Sequence, residues 1–192
     1  MINYISLVMT EWLQRKGAIA EEDKHLYSYA AYSIIFGLLP LFLAISLGVL
    51  FQMVYEGLLL IIPYMLIRKF SGGFHLNSEK QCILVSSILL TTSLAIVKYV
   101  IRAERTFFFS LFVIFAAIII YLCSPADNAS RKLTSIEKCV FKKTARILTC
   151  LCLIIYFIML HFSQIRSAIP IGTGLILASV LQLPCIYQTY IT

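Results

Sequence analysis

The chain has 192 residues, of which 60% are hydrophobic and 13% are charged, and its formal net charge is +7. A soluble domain averages about 45–50% apolar and about 25% charged residues, because a domain of this size must cover itself with polar surface. The apolar residues also lie in long runs, so the composition excludes an ordinary soluble domain. We predict an all-α integral membrane protein that forms a single domain over residues 1–192.

The N-terminal segment, residues 1–25, contains several acidic residues and lacks the compact apolar core of a removable signal peptide. Within it, Tyr4, Leu7 and Trp12 recur at near-helical spacing. This spacing predicts an amphipathic helix in the membrane interface, with Trp12 at the depth of the lipid headgroups. A helix packed on the rest of the bundle would explain the spacing equally well.

Six apolar segments follow, and a helical span needs roughly 20 mostly apolar residues. They cover residues 30–52, 55–67, 83–100, 106–123, 146–163 and 168–188. The second segment is short and contains Pro63, so we expect a kink or partial insertion there, with five spans as the alternative. Lys and Arg accumulate in cytoplasmic loops. Their distribution predicts a multi-pass protein of the cell membrane with both termini, residues 68–82 and a basic loop over residues 124–146 in the cytoplasm.

Most of the six cysteines lie within the apolar runs, where a free cysteine acts as a small hydrophobic side chain. The chain contains no C-x-x-C pair, the usual spacing of zinc and thioredoxin-type sites. We therefore expect no metal site. We also expect no cofactor and no nucleic-acid partner.

One polar stretch, residues 68–82 (RKFSGGFHLNSEKQC), interrupts the apolar pattern. Gly72 and Gly73 break the helical pattern, because glycine adopts backbone conformations that are closed to other residues. Ser78, with Gln81 three residues later, has the spacing of a capping box and predicts that a helix begins at Ser78.

Cys82 would then lie in or just after the first turn of that helix. The positive end of the helix dipole and nearby basic groups such as Lys80 favour the reactive thiolate. His75 could serve as the base, but on one straight helix its Cα would lie about 10.5 Å along the axis from that of Cys82, too far for a hydrogen bond. The pair therefore requires His75 on a loop that folds back over the helix start. A solvated loop in which both residues are incidental is the alternative.

The pattern R-x-x-x-G-G-x-H-x-x-x-x-x-x-C, from Arg68 to Cys82, is similar to the signature of the accessory gene regulator B family. Members are membrane endopeptidases of Gram-positive peptide quorum sensing. The segment SPADN at residues 124–128, followed by basic residues, resembles the Pro-centred segment of that family. Chain length and hydropathy profile agree along nearly the whole sequence.

The resemblance implies that His75 and Cys82 are the catalytic pair of a cysteine peptidase. The substrate would be a small amphipathic propeptide, cut on the C-terminal side of the future signal through a Cys thioester. An internal cysteine or serine of the propeptide would then close a thiolactone or lactone ring. The resemblance also implies a homodimer.

Four residues beside the catalytic pair are the expected substrate-binding group: Arg68, Lys69, Gly72 and Gly73. Arg68 is the best candidate for contact with the acidic C-terminal tail that is typical of the family's propeptides. The residue that orients His75 could be Asn77, Glu79 or Asp127, and backbone N–H groups near Cys82 or Gly73 are candidate oxyanion donors.

Two other functions are alternatives to peptidase activity. A small multi-span transporter or exporter accessory would have no chemistry of its own, but the span centres hold almost no ionisable residues. A membrane thiol oxidoreductase would be expected to carry the C-x-x-C pair that this chain lacks.

Overall fold

The computed structural model describes residues 2–72, 78–125 and 134–191, and within these ranges it contains seven α-helices. They are α1 (Ile2–Arg15), α2 (Lys24–Phe51), α3 (Val54–Ser71), α4 (Glu79–Ala103), α5 (Thr106–Cys123), α6 (Ser135–His161) and α7 (Ile165–Ile191). Five of them, α2 and α4 to α7, are long and apolar enough to cross a membrane. The prediction of an all-α membrane protein is confirmed.

The chain divides into two compact units, Met1–Phe42 and Leu43–Thr192. In the first unit, α1 is amphipathic: Trp12 is exposed, whereas Thr10 is buried and its hydroxyl donates a hydrogen bond to the Ser6 carbonyl oxygen at 2.7 Å. The predicted N-terminal helix is therefore present. Its location in the membrane interface stays a prediction.

In the second unit, α7 is the central helix and packs against α3, α4, α5 and α6. Of the apolar window of α7, 72% of the residues are buried, compared with 28% or less in α4, α5 and α6. The outer helices instead expose large apolar side chains. On α5 these are Phe107, Phe108, Phe112 and Phe115. Such a surface is stable in lipid, whereas a soluble protein rarely exposes a continuous apolar patch of this kind.

Two glycines allow α7 to approach its neighbours closely. A Cβ added at Gly174 would lie 2.5 Å from the Leu60 carbonyl oxygen of α3, and one at Gly172 would lie 2.7 Å from Val113 Cγ2 of α5. Small residues commonly permit close contact between membrane helices, where packing rather than the hydrophobic effect drives association. The G-T-G sequence therefore sets the distance between α7 and both partners.

The two ends of the second unit differ in their connections. At one end, α2–α3, α4–α5 and α6–α7 are joined by two or three residues, each turn containing one residue with positive φ: Gln52, Glu104 and Ser163. At the other end, residues 72–78 and 124–134 form longer connections. We call the latter the Cys82 end, because α4 begins there.

Two helix limits differ from the sequence prediction. α3 continues through the buried Pro63 as far as Ser71, rather than ending at residue 67. α6 begins at Ser135, so residues 135–146 are helical and the expected basic loop over 124–146 is shorter. A capping box explains this start: Thr134 accepts a hydrogen bond from the Glu137 N–H, and Glu137 accepts one from the Thr134 N–H.

We predict that Gly174→Ala destabilises the folded protein by about 1–3 kcal/mol, the usual cost of overpacking a core. The added methyl would meet the Leu60 carbonyl, which is backbone and cannot rotate away. Thermal unfolding in detergent measures the effect. Gly37→Ala is the matched control, because nothing lies within 4 Å of its added Cβ. Equal unfolding midpoints for the two variants would contradict close packing at Gly174.

Candidate active site

Cys82 lies in the first turn of α4. Ser78 is the N-cap in extended conformation, and the Cys82 N–H donates to the Ser78 carbonyl oxygen at 3.0 Å. The predicted helix start is therefore confirmed. The backbone N–H groups of residues 79–81 have no hydrogen-bond acceptor within the helix. The predicted capping box is wrong, because the Ser78 side chain makes no capping hydrogen bond in the part of the chain that the structure describes. Residue spacing identifies a helix start, but it does not determine the rotamer of the capping side chain.

Gly72 ends α3. Its φ of 75° lies in the left-handed region, and its N–H donates to the Arg68 carbonyl oxygen at 3.2 Å. Glycine adopts this conformation without strain, so it is a common residue at helix C-termini. A continuous helix from residue 70 to residue 85 is therefore excluded.

Several predicted site residues lie outside the described residues, namely Gly73, His75, Asn77 and Asp127. The side chain of Glu79 is likewise not described. The pairing of His75 with Cys82 and the identity of the orienting residue therefore stay predictions.

Arg68 and Cys82 are brought close to the same buried tyrosine. The Arg68 guanidinium carbon lies 5.9 Å from the centre of the Tyr64 ring, a cation–π distance. Tyr64 also lies within electrostatic range of both Arg68 and Cys82. The last turns of α3 thus place a half-buried guanidinium at the end of the second unit where α4 begins. Lys69 is exposed, with its Nζ 5.7 Å from the Phe70 ring centre.

Gln182 of α7, which was not among the residues predicted from the sequence, is fully buried at the Cys82 end. Its Nε2 lies 3.3 Å from the Ser71 carbonyl oxygen and 3.2 Å from Ser124 Oγ, and it donates to both. One amide therefore connects the end of α3 to the end of α5. The sequence did contain a signal for this residue, namely a carboxamide in an otherwise largely apolar span. Polar groups inside membranes are costly and are usually functional.

Basic residues of α6 lie at the same end. Lys138, Lys142 and Lys143 are exposed, and the Phe141 ring contacts the Phe70 ring of α3 edge-on at 5.7 Å between centres. Arg146 is held against α5, because its Nε donates to the Tyr121 carbonyl oxygen at 3.1 Å and its guanidinium covers the Tyr121 ring. The Cys82 end therefore has a positive potential from both α3 and α6.

Residues 2–72, 78–125 and 134–191 contain no cluster of three or more His, Cys, Asp or Glu side chains that could hold a metal ion. The five described cysteines are free thiols.

Comparison with known proteins identifies the family. The sequence profile described as Accessory gene regulator B matches residues 6–184, nearly the whole chain. The chain belongs to the accessory gene regulator B family. The family assigns the protein a role in processing quorum-sensing peptides at the membrane.

Two relatives come from Clostridium perfringens. AgrB-like protein 2 of strain 13 is 26% identical over 200 residues, covering 100% of this chain and 92% of the relative. An AgrB-like protein of strain SM101 is 26% identical over 204 residues with the same coverage. No solved structure matches the chain.

We predict that a thiol-alkylating reagent at mildly acidic pH labels Cys82 faster than Cys139. Cys139 is exposed and lies beside Lys138 on α6, whereas Cys82 is half-buried. Accessibility alone would therefore favour Cys139, and only activation as a nucleophile reverses the order. Mass spectrometry of time-resolved labelling gives both rates. Faster labelling of Cys139 would contradict an activated Cys82.

Proposed function

We propose that this protein is a membrane cysteine endopeptidase that cleaves a small quorum-sensing propeptide on the C-terminal side of the future signal. The observation that carries the proposal is the position of Cys82 in the first turn of α4, at the end of the second unit where Arg68 and other basic side chains lie. The thiolate is the nucleophilic form of cysteine, and reactive cysteines occur at helix N-termini and beside basic groups.

In the first step, His75 accepts the thiol proton and Cys82 Sγ attacks the scissile carbonyl carbon. A C–S bond forms as the C–N bond breaks, and His75 returns the proton to the leaving amine. The N-terminal part of the propeptide is then held as a thioester on Cys82. The amides at the start of α4, which have no intrahelical acceptor, are candidate donors to the oxyanion.

In the second step, a cysteine thiol within the propeptide attacks the thioester carbonyl. One C–S bond forms, the bond to Cys82 breaks, and the Cys82 thiol is regenerated. This exchange retains a thioester in the product ring, whereas water would release a free acid. A serine hydroxyl in place of the thiol would give a lactone. A site at the membrane boundary limits access of water and so favours the ring.

We propose that the Cys82 end faces the cytoplasm. Among the described residues of the second unit, seven basic side chains lie at this end: Arg68, Lys69, Lys80, Lys138, Lys142, Lys143 and Arg146. Four lie toward the opposite end: Lys98, Arg102, Arg105 and Arg166. Basic residues accumulate on the cytoplasmic side of membrane proteins. The homodimer implied by the family resemblance stays a prediction.

We predict that Cys82→Ser abolishes cleavage when the full-length protein is co-expressed with its cognate propeptide, because a serine hydroxyl is a far weaker nucleophile without strong activation. Mass spectrometry of the propeptide identifies the cut site and the ring together. Cys139→Ser is the matched control and should process normally, since Cys139 is an exposed thiol on α6.

Membrane extraction and detergent solubility check that Cys82→Ser inserts and folds. Cleaved propeptide from a correctly inserted Cys82→Ser protein would contradict the catalytic assignment. That result would favour an accessory role in peptide export.

The basic groups at the Cys82 end suit the acidic C-terminal tail of such a propeptide. Arg68 is the strongest candidate because it is half-buried and its guanidinium is held over Tyr64. A guanidinium fixed in this way can bind a carboxylate with two parallel hydrogen bonds. Exposed lysines such as Lys69 contribute a more diffuse attraction that salt screens.

We predict that Arg68→Ala lowers propeptide processing at least about tenfold, the effect of losing a charge-assisted hydrogen bond worth about 1.5–3 kcal/mol. Lowering the salt concentration should not restore processing. Less salt strengthens a diffuse electrostatic attraction, but it cannot replace a direct contact that has been removed. Arg105→Ala is a charge-matched control at the opposite end of the second unit. Equal loss in both variants, or full recovery of Arg68→Ala at low salt, would contradict a specific contact.

A further inference from the structure

Gln182 occupies an unusual place for a carboxamide. It is fully buried near the C-terminal end of α7, a helix whose apolar window is itself mostly buried. Its Nε2 donates to two acceptors on different helices, the Ser71 carbonyl oxygen and Ser124 Oγ. These acceptors are 111 and 58 residues away along the chain.

The other half of the amide is not satisfied within the described residues. Gln182 Oε1 is buried and has no hydrogen-bond partner there. A buried acceptor without a donor costs free energy, so each such group in a native protein needs an explanation. An apolar side chain of similar length would avoid this cost while filling the same volume.

The two hydrogen bonds act on the residues from which the long connections begin. Ser71 is the last residue of α3, directly before Gly72, whose left-handed conformation starts the connection toward Cys82. Ser124 directly follows α5 and precedes Pro125. Because both hydrogens belong to one planar amide, they fix the Ser71 carbonyl relative to the Ser124 hydroxyl. An apolar residue could fill the space but could not fix this relation.

We propose that Gln182 is a positioning residue for the peptidase reaction, which holds the ends of α3 and α5 in fixed relation at the end of the second unit where α4 begins. This inference rests on the proposed function. The carboxamide does not touch the reacting atoms; it acts through the Gly72 turn and the Ser124–Pro125 segment. Small displacements of catalytic groups can lower rates by orders of magnitude even when substrate binding is retained.

The main test is Gln182→Met in the full-length protein, assayed with purified propeptide in lipid vesicles. Methionine has a similar length but cannot donate a hydrogen bond. We expect kcat to fall about 10- to 100-fold, whereas KM should change less than about threefold, because a positioning residue acts on the transition state rather than on binding. Rates are normalised to the amount of Cys82 that can be alkylated, so that loss of folded protein does not count as loss of catalysis.

Ser124→Ala provides a second variant that keeps Gln182 and its hydrogen bond to Ser71. We expect a smaller fall in kcat, about three- to tenfold, and no further fall when it is added to Gln182→Met, since interacting residues are non-additive. Thr173→Val is the control on α7, because the Thr173 hydroxyl is buried but bonds only to Ile169 of its own helix among the contacts described. It should retain the wild-type kcat.

Wild-type kcat per alkylatable Cys82 in Gln182→Met would overturn the inference, as would full additivity with Ser124→Ala. A loss of kcat equal to that in Thr173→Val would show that Gln182 has only a packing role and would also overturn it. Failure of the proposed function is distinguishable, because Cys82→Ala would then still cleave the propeptide. If Cys82→Ala is inactive and Gln182→Met is fully active, only the role of Gln182 is wrong.

Discussion

The close packing of α7 against α3 and α5 is the constraint on which the second unit depends. Lipid offers no hydrophobic gain for bringing apolar helices together, so contact area and close approach must hold them. Gly172 and Gly174 supply that approach because their missing Cβ atoms would overlap Val113 and the Leu60 carbonyl. With α7 central, the remaining helices need only one buried face each. Their other faces can be wholly apolar and meet lipid.

The same packing gives the two ends of the unit different properties. At the short-turn end, the buried Glu56 carboxylate pairs with Arg166, and the Tyr55 hydroxyl shares a 3.0 Å hydrogen bond with Ser167. Both contacts fasten the start of α3 to the start of α7. The Cys82 end carries the longer connections and the candidate catalytic residues. A fixed scaffold that presents functional residues from its loops is the common arrangement in enzymes.

The chemistry that we propose requires polar surroundings for the charged groups and exclusion of water from the thioester. In that chemistry, cleavage of the propeptide needs the thiolate of Cys82, which forms when His75 accepts the thiol proton. Ring closure needs the thioester to survive until an internal thiol reaches it. A helix start near the membrane boundary meets both needs, because the charged tail of a substrate can remain in the aqueous phase while its apolar part stays in lipid.

Features that depend on local chemistry were predictable from the order of residues alone. Long apolar runs require membrane helices, Gly72 permits the left-handed end of α3, and Ser78 marks the start of α4 four residues before Cys82. The start of α6 also has a local signal, the T-x-x-E spacing of Thr134 and Glu137, which the sequence analysis did not use. The motif from Arg68 to Cys82 was enough to indicate the family.

The choice of central helix and the contacts between distant side chains depend instead on tertiary packing. The hydropathy of α7 does not exceed that of its neighbours, and its burial follows from glycines that matter only once Leu60 and Val113 lie opposite them. Gln182 acquires its partners in the same way, through contacts 58 and 111 residues apart. Helix formation is encoded by neighbouring residues, whereas these contacts depend on how separate helices pack, which no local pattern specifies.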